Sequence, residues 1–168
     1  NGSTQLLGLL CSDTATNQES SQTILKLSSK HYVYDVRNQD FLGFGDSITL
    51  KLDLQPRFLA LLPARLESIE FRRVEQPVPA GTDLAITGTV HFNQDAGLGA
   101  LSQAVHLRVL DAEGNELEWF RQNILFRGRT FTVHLPLSRS IAAGSYRVTA
   151  EHALTGLETS TTFEVVNR

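Results

Sequence analysis

The chain has 168 residues, 41% of them hydrophobic and 20% charged, with a formal net charge of −3. That length suffices for one large core or two small ones, and the charge balance argues against nucleic acid as a partner, which calls for a basic face. A single cysteine, Cys11, excludes an internal disulfide framework and a multi-cysteine metal site, and no apolar run is long enough to span a bilayer.

In chain order, NGST opens the sequence, with no signal peptide and no methionine anywhere. The chain is therefore expected to be a piece of a longer protein, with its targeting information upstream. Gln5 to Cys11 (QLLGLLC) is Leu-rich, and Gly8 and the short length favour a buried strand over a helix. Cys11, in this run, reads as a buried and inert thiol. Ser12 to Gln22 is polar and aperiodic, hence an exposed loop. Thr23 to Leu27 reads as a short strand. His31 to Val36 alternates Tyr32, Tyr34 and Val36 against His31, Val33 and Asp35, and its aromatic and β-branched residues are strand formers. Arg37 to Asp40 is a turn. The glycines of FLGFG (Phe41 to Gly45) predict a bulge or a positive-φ residue before the next strand.

That next strand has the cleanest alternation in the protein. Ile48, Leu50, Leu52 and Leu54 point one way, and Ser47, Thr49, Lys51 and Asp53 the other. One buried and one wet face is the pattern of an antiparallel sheet. Pro56 marks the start of the strand Arg57 to Leu62 and Pro63 ends it. Gln5–Cys11 and Arg57–Leu62 are expected to be the buried strands of the first domain.

A second pattern begins at Leu66. Strands are predicted at Leu66–Gln76, Asp83–Phe92, Ala104–Leu110, Glu116–Phe126, Thr130–Leu137, Ser145–Ala153 and Leu157–Val166. About seven strands in about 100 residues, with turns every ~8–12, is the profile of an immunoglobulin-like sandwich. Trp119 and Tyr146 are its expected core anchors, Tyr146 at the place of a corner tyrosine. The fold class is thus all-β, with two antiparallel β-sandwich domains, 1–65 and 66–168, the second immunoglobulin-like.

Chemistry is sparse. Asp35, Asp40 and Asp46 crowd one turn region and have the oxygens a calcium ion wants, but no EF-hand-like spacing, and turn-forming is the better reading. His91, His106 and His134 fall on the polar phase of three strands, whereas His152 shares a phase with Tyr146 and Val148. His91 and His134 could be neighbours on an outer face, yet two histidines without a third ligand do not make a zinc site. Glu116 and Glu118, at i and i+2, would project together about 7 Å apart, without an implied cleft. No nucleophile elbow occurs, and FLGFGD lacks the third glycine and the strand–helix context of a dinucleotide loop. Neither a catalytic residue nor a cofactor or metal site is assigned. Trp119, Phe120, Tyr32 and Tyr34 are the candidates for carbohydrate contact, since sugar C–H faces stack on flat rings. Of the adjacent Trp119 and Phe120, one must face inward.

The segments YVYDVRNQDFLG, DSITLKLDL and PRFLALLP, preceded by QLLGLL, resemble the small β-sandwich that follows the catalytic barrel in many bacterial glycoside hydrolases, notably β-galactosidase-like and α-amylase-like enzymes. The resemblance covers about residues 5–63. From Leu66 on, the chain is similar to bacterial immunoglobulin-like or fibronectin-like modules. The resemblance implies a non-catalytic accessory segment of a secreted, periplasmic or cell-surface enzyme. Its partners would be an upstream catalytic domain in the same chain and a polysaccharide. It transfers no active-site residue, because the barrel that carries the catalytic carboxylates is not in this sequence. A binding module of a cell-surface protein, for glycan or for another protein, is the alternative.

Overall fold

The computed structural model describes residues 4–10, 21–52, 55–94 and 101–167. Cys11, Leu54 and the Leu52 side chain lie outside this set. The described residues form an all-β structure whose strands pair antiparallel except at one two-residue ladder, and they contain no α-helix. Two compact units result: Asn1–Arg65 with Asn93–Leu101 and Leu154–Gly156, and Leu66–Phe92 with Ser102–Ala153 and Leu157–Arg168. A linear reading placed those two short segments with the second unit.

In the first unit, β1 (Gln5–Leu9), β2 (Ser21–Asp35), β3 (Asp40–Leu52) and β4 (Arg57–Leu62) form one sheet in the order β1-β4-β2-β3. The two strands expected at Thr23–Leu27 and His31–Val36 are a single strand, β2. Its register against β3 jumps between Lys26↔Ser47 and His31↔Gly45. A straight strand advances about 3.4 Å per residue, so residues 43 and 48 would stand about 17 Å apart. Instead, Ile48 Cδ1 lies 3.5 Å from where a Cβ on Gly43 would be. The far halves of β2 and β3 therefore curl back over the near halves, and one sheet supplies both layers. Leu25, Leu27, Ile48 and Leu50 consequently share a cluster with Leu7, Leu9, Val33, Leu59 and Leu61. The predicted bulge is present: Val33 faces Gly43 and Tyr34 faces Phe41, leaving Leu42 as the extra residue, with Gly43 at φ 142°.

β4 is buried from Leu59 to Leu62, as its apolar run predicts. β1 is not. It pairs only with β4, at the sheet edge, and Leu6 is 69% exposed. An apolar run on an edge strand buries one of its faces, here Leu7 and Leu9, and not the other.

The second unit is a two-sheet sandwich. β5 (Leu66–Phe71), β7 (Asp83–Phe92) and β10 (Thr130–Pro136) form one sheet, in the order β10-β7-β5. The other sheet contains β6 (Val78–Pro79), β8 (Ser102–Leu110), β9 (Gln122–Arg127), β11 (Gly144–His152) and β12 (Glu158–Val166), in the order β6-β12-β11-β8-β9. Period-two burial sorts the side chains: Phe131, Val133 and Leu135 of β10 and Val105, Leu107 and Val109 of β8 are buried. Tyr146 and Phe163 stack with ring centroids 5.4 Å apart. Gly88, paired with Phe71 on one side and Phe131 on the other, leaves room for the Phe131 ring, which a Cβ there would overlap.

The strand predicted over Glu116–Phe126 is broken. Glu116 makes an isolated bridge to Leu110, Glu118–Phe120 is a 3₁₀ turn, and β9 starts at Gln122. A strand would have put Trp119 and Phe120 on opposite faces of a sheet. The turn instead sends Phe120 inward, at 3% exposure, and leaves Trp119 73% exposed. Trp119 is therefore not a core anchor, whereas Tyr146 is.

Candidate functional site

Trp119 forms one wall of a cleft of about 370 Å³ in the second unit, lined also by Asp111, Glu113, Ser140, Ser145 and Tyr146. The sequence around it dictates its shape. Asp111 organises the turn after β8: its Oδ1 accepts from the backbone N–H groups of Glu113 (3.0 Å) and Asn115 (2.8 Å), and its Oδ2 from Asn115 Nδ2 (3.1 Å). Gly114 provides the positive φ of 86° and donates to the Asp111 carbonyl. These bonds, the Asn115 backbone one foremost, hold the Asp111 carboxyl below the usual carboxylate range. Further on, Arg121 Nε donates to Glu116 Oε1 at 2.7 Å and lowers the Glu116 pKa. Leu117 N–H donates to the Val109 carbonyl at 2.8 Å, so the 3₁₀ turn bearing Trp119 is tied back to β8.

Further lining residues come from the segment that leads into β11. Ser140 N–H donates to Ser138 Oγ at 3.1 Å, and the Tyr146 hydroxyl donates to the Ala142 carbonyl at 2.8 Å, the corner-tyrosine contact expected from its position. Burial raises the phenol's pKa, and the negative charges of Asp111 and Glu113 raise it further. The cleft is thus lined by an apolar ring, hydroxyls and two carboxylates, and among the described residues by no basic side chain.

A second feature lies in the first unit. On the face of the sheet opposite the Val33–Leu50 cluster, Tyr34, Ala60 and Leu62 are buried among Tyr32, Val36 and Leu154. Around them Leu6, Phe41, Phe44 and Phe58 are 43–69% exposed. The Tyr32 and Phe44 rings are 4.4 Å apart, Tyr34 and Phe41 are 5.1 Å apart, and the Arg65 guanidinium sits 5.3 Å over Phe41. Tyr32 OH accepts from Asn93 Nδ2 at 2.6 Å. Tyr32 and Tyr34 are thus members of an aromatic ladder, Tyr34 buried and Tyr32 half-buried.

Among solved structures, glycoside hydrolases align with this chain over part of their length. β-Glucosidase from Listeria innocua, in complex with isofagomine, aligns at 12% identity over 64% of this chain and 17% of its own, with a TM-score of 0.44. Bacteroides uniformis β-glucuronidase aligns at 11% identity over 94% of this chain and 25% of its own, with a TM-score of 0.31. This chain therefore spans a quarter or less of the length of either enzyme. No family model and no curated protein matches it.

Of the four carbohydrate-contact candidates, Phe120 and Tyr34 are turned into the interior, leaving Trp119 and the half-buried Tyr32. Glu116 and Glu118 do not project as a strand pair, because the 3₁₀ turn begins between them and Arg121 engages Glu116. His91 lies opposite Ser68 and His134 opposite Ala85, six positions apart along β7, so they are not neighbours. They face Glu70 (3.6 Å) and Asp83 (2.9 Å), respectively. Asp35 is buried and bonded to Arg37, Asn38 and Arg57, and among the described residues no group of three or more His, Cys, Asp or Glu could hold a metal. Sequence reasoning missed the cleft itself. Its signal was the pairing of the Asp111-Ala112-Glu113-Gly114-Asn115 turn with an adjacent Trp119, hidden by reading Glu116–Phe126 as a strand.

Proposed function

We propose that this segment is a non-catalytic accessory part of a secreted bacterial glycoside hydrolase, packing against and stabilising a catalytic domain in the same longer chain. The observation that carries the reading is the aromatic face of the first sheet. Large apolar side chains at 43–69% exposure, continuous with a buried cluster, form the kind of patch that marks a protein contact. The YVYDVRNQDFLG and PRFLALLP segments that build this face are those that resemble the domain following the barrel. The fold analogy supplies the partner and the face supplies the means.

The test is Phe58→Ser, made both in this segment alone and in the longer protein that includes the domain before it. Phe58 is 52% exposed, so little stability should be lost in the segment alone. In the longer protein, the catalytic domain should unfold at a lower temperature. Equal effects in the two settings would overturn the packing role, and turnover of chromogenic glycosides by the segment alone would overturn the non-catalytic one.

A second reading, a carbohydrate-binding module, is favoured by the exposed Trp119 within its cleft. The two readings are compatible, since they use different units.

A further inference from the structure

We infer that the Trp119 cleft binds uncharged glycans and rejects uronic-acid glycans. The inference rests on the carbohydrate-binding reading and adds its selectivity.

An indole 73% exposed in this cleft leaves its apolar face for a ligand to cover. The cleft's volume, about 370 Å³, lies within the range of small-molecule sites. The polar residues that line the cleft with the indole are suited to a polyol. Ser140 and Ser145 each carry a hydroxyl, and the Glu113 carboxylate can accept from sugar hydroxyls. A hexopyranose has the two surfaces this demands, an axial C–H face for the ring and an equatorial rim of hydroxyls for the polar groups.

Charge then selects among glycans. Asp111 and Glu113 both line the cleft, and among the described residues no Lys, Arg or His lines it. Asp111 is held ionised by the N–H groups of its own turn, so its negative charge is fixed. A uronate carboxylate brought beside Trp119 would meet two like charges. A neutral hexose meets no like charge, and its hydroxyls can donate to the carboxylates.

The chain's single tryptophan makes the test direct, since all indole fluorescence comes from this cleft. Emission is followed while the whole chain is titrated with cellopentaose, maltopentaose, xylopentaose and pentagalacturonic acid at low ionic strength. The expected result is a saturable shift with at least one neutral oligosaccharide and none with the uronate. Response to neutral and acidic sugars alike would overturn the selectivity and leave the sugar-binding reading standing. Silence with all four would overturn both. Response to tetramethylammonium or arginine amide but to no sugar would assign the carboxylates and indole to cation recognition, and would likewise overturn both.

Two variants complete the test. Glu113→Lys, at an exposed position, should keep the unfolding midpoint and admit the uronate. Trp119→Ala, read by amide NMR shifts around Ser145 and Tyr146, should keep the fold and weaken neutral-sugar binding by roughly tenfold or more. Unchanged selectivity in Glu113→Lys, or unchanged affinity in Trp119→Ala, would overturn the proposal.

Discussion

Arg57 holds its guanidinium 3.4 Å from the carboxylate of Asp35, a side chain only 2% exposed. Asp35 closes the β2–β3 hairpin: its Oδ1 accepts from the N–H groups of Arg37 (3.1 Å) and Asn38 (3.2 Å), and its Oδ2 from Asn38 Nδ2 (3.2 Å). One buried charge thus links the hairpin turn to the start of β4. Arg57→Ala should cost about 3 kcal/mol, because the carboxylate would remain buried without its cation. Adding Asp35→Asn to that variant should recover part of the loss. Urea unfolding of both single variants and the double variant checks this, and strictly additive losses would show that the pair is not coupled.

Gly88→Ala is expected to destabilise the second unit by about 1–3 kcal/mol, a large effect for one methyl group. The added carbon would strike the ring of Phe131, itself 3% exposed and packed on Phe126 at 5.2 Å and Phe71 at 6.1 Å. Phe131→Leu in the same background should relieve the overlap. Thermal unfolding in which Gly88→Ala is neutral would contradict the close approach.

His152 makes stability pH-dependent. Burial first, and then the nearby His106, lower its pKa from 6.5 to about 4. Between those values the unfolded chain binds a proton that the folded chain refuses. The contribution is therefore fully present above pH about 6.5 and is lost as pH falls toward 4, to a total of about 3 kcal/mol. The difference in unfolding free energy between wild type and His152→Leu should change across that window and be flat above it. A difference independent of pH would place the imidazole in contact with water.

Legibility followed the clarity of the period. Ile48 and Leu50 alternate with Thr49 and Lys51 in the sequence and are sorted to inside and outside in the structure. The same held for β7, β8 and β10 and for the glycine bulge at Gly43. Where tertiary contacts decide, the sequence was silent. QLLGL is apolar whether its strand is central or at an edge, and pairing with β4 alone settled that. Ser28, Ser29 and Lys30 fall between two predicted strands, yet β2 passes through them where the sheet bends, with His31 Nδ1 donating to the Ser29 carbonyl at 2.9 Å. In the site, Tyr146 was readable from its place after Ala-Gly-Ser. Trp119 was misplaced because the Glu116–Arg121 ion pair and the 3₁₀ turn follow no period.

The short parallel ladder between β6 and β12, where Val78 faces Val165 and Pro79 faces Val166, has a mechanical consequence. Ala80 N–H donates to the Val166 carbonyl at 2.9 Å and continues it. Two parallel strands drawn by their opposite ends slide along each other, so their bonds are strained together and not opened one after another. Tension applied between the N-terminal end of β6 and the C-terminal end of β12 would load that seam in shear.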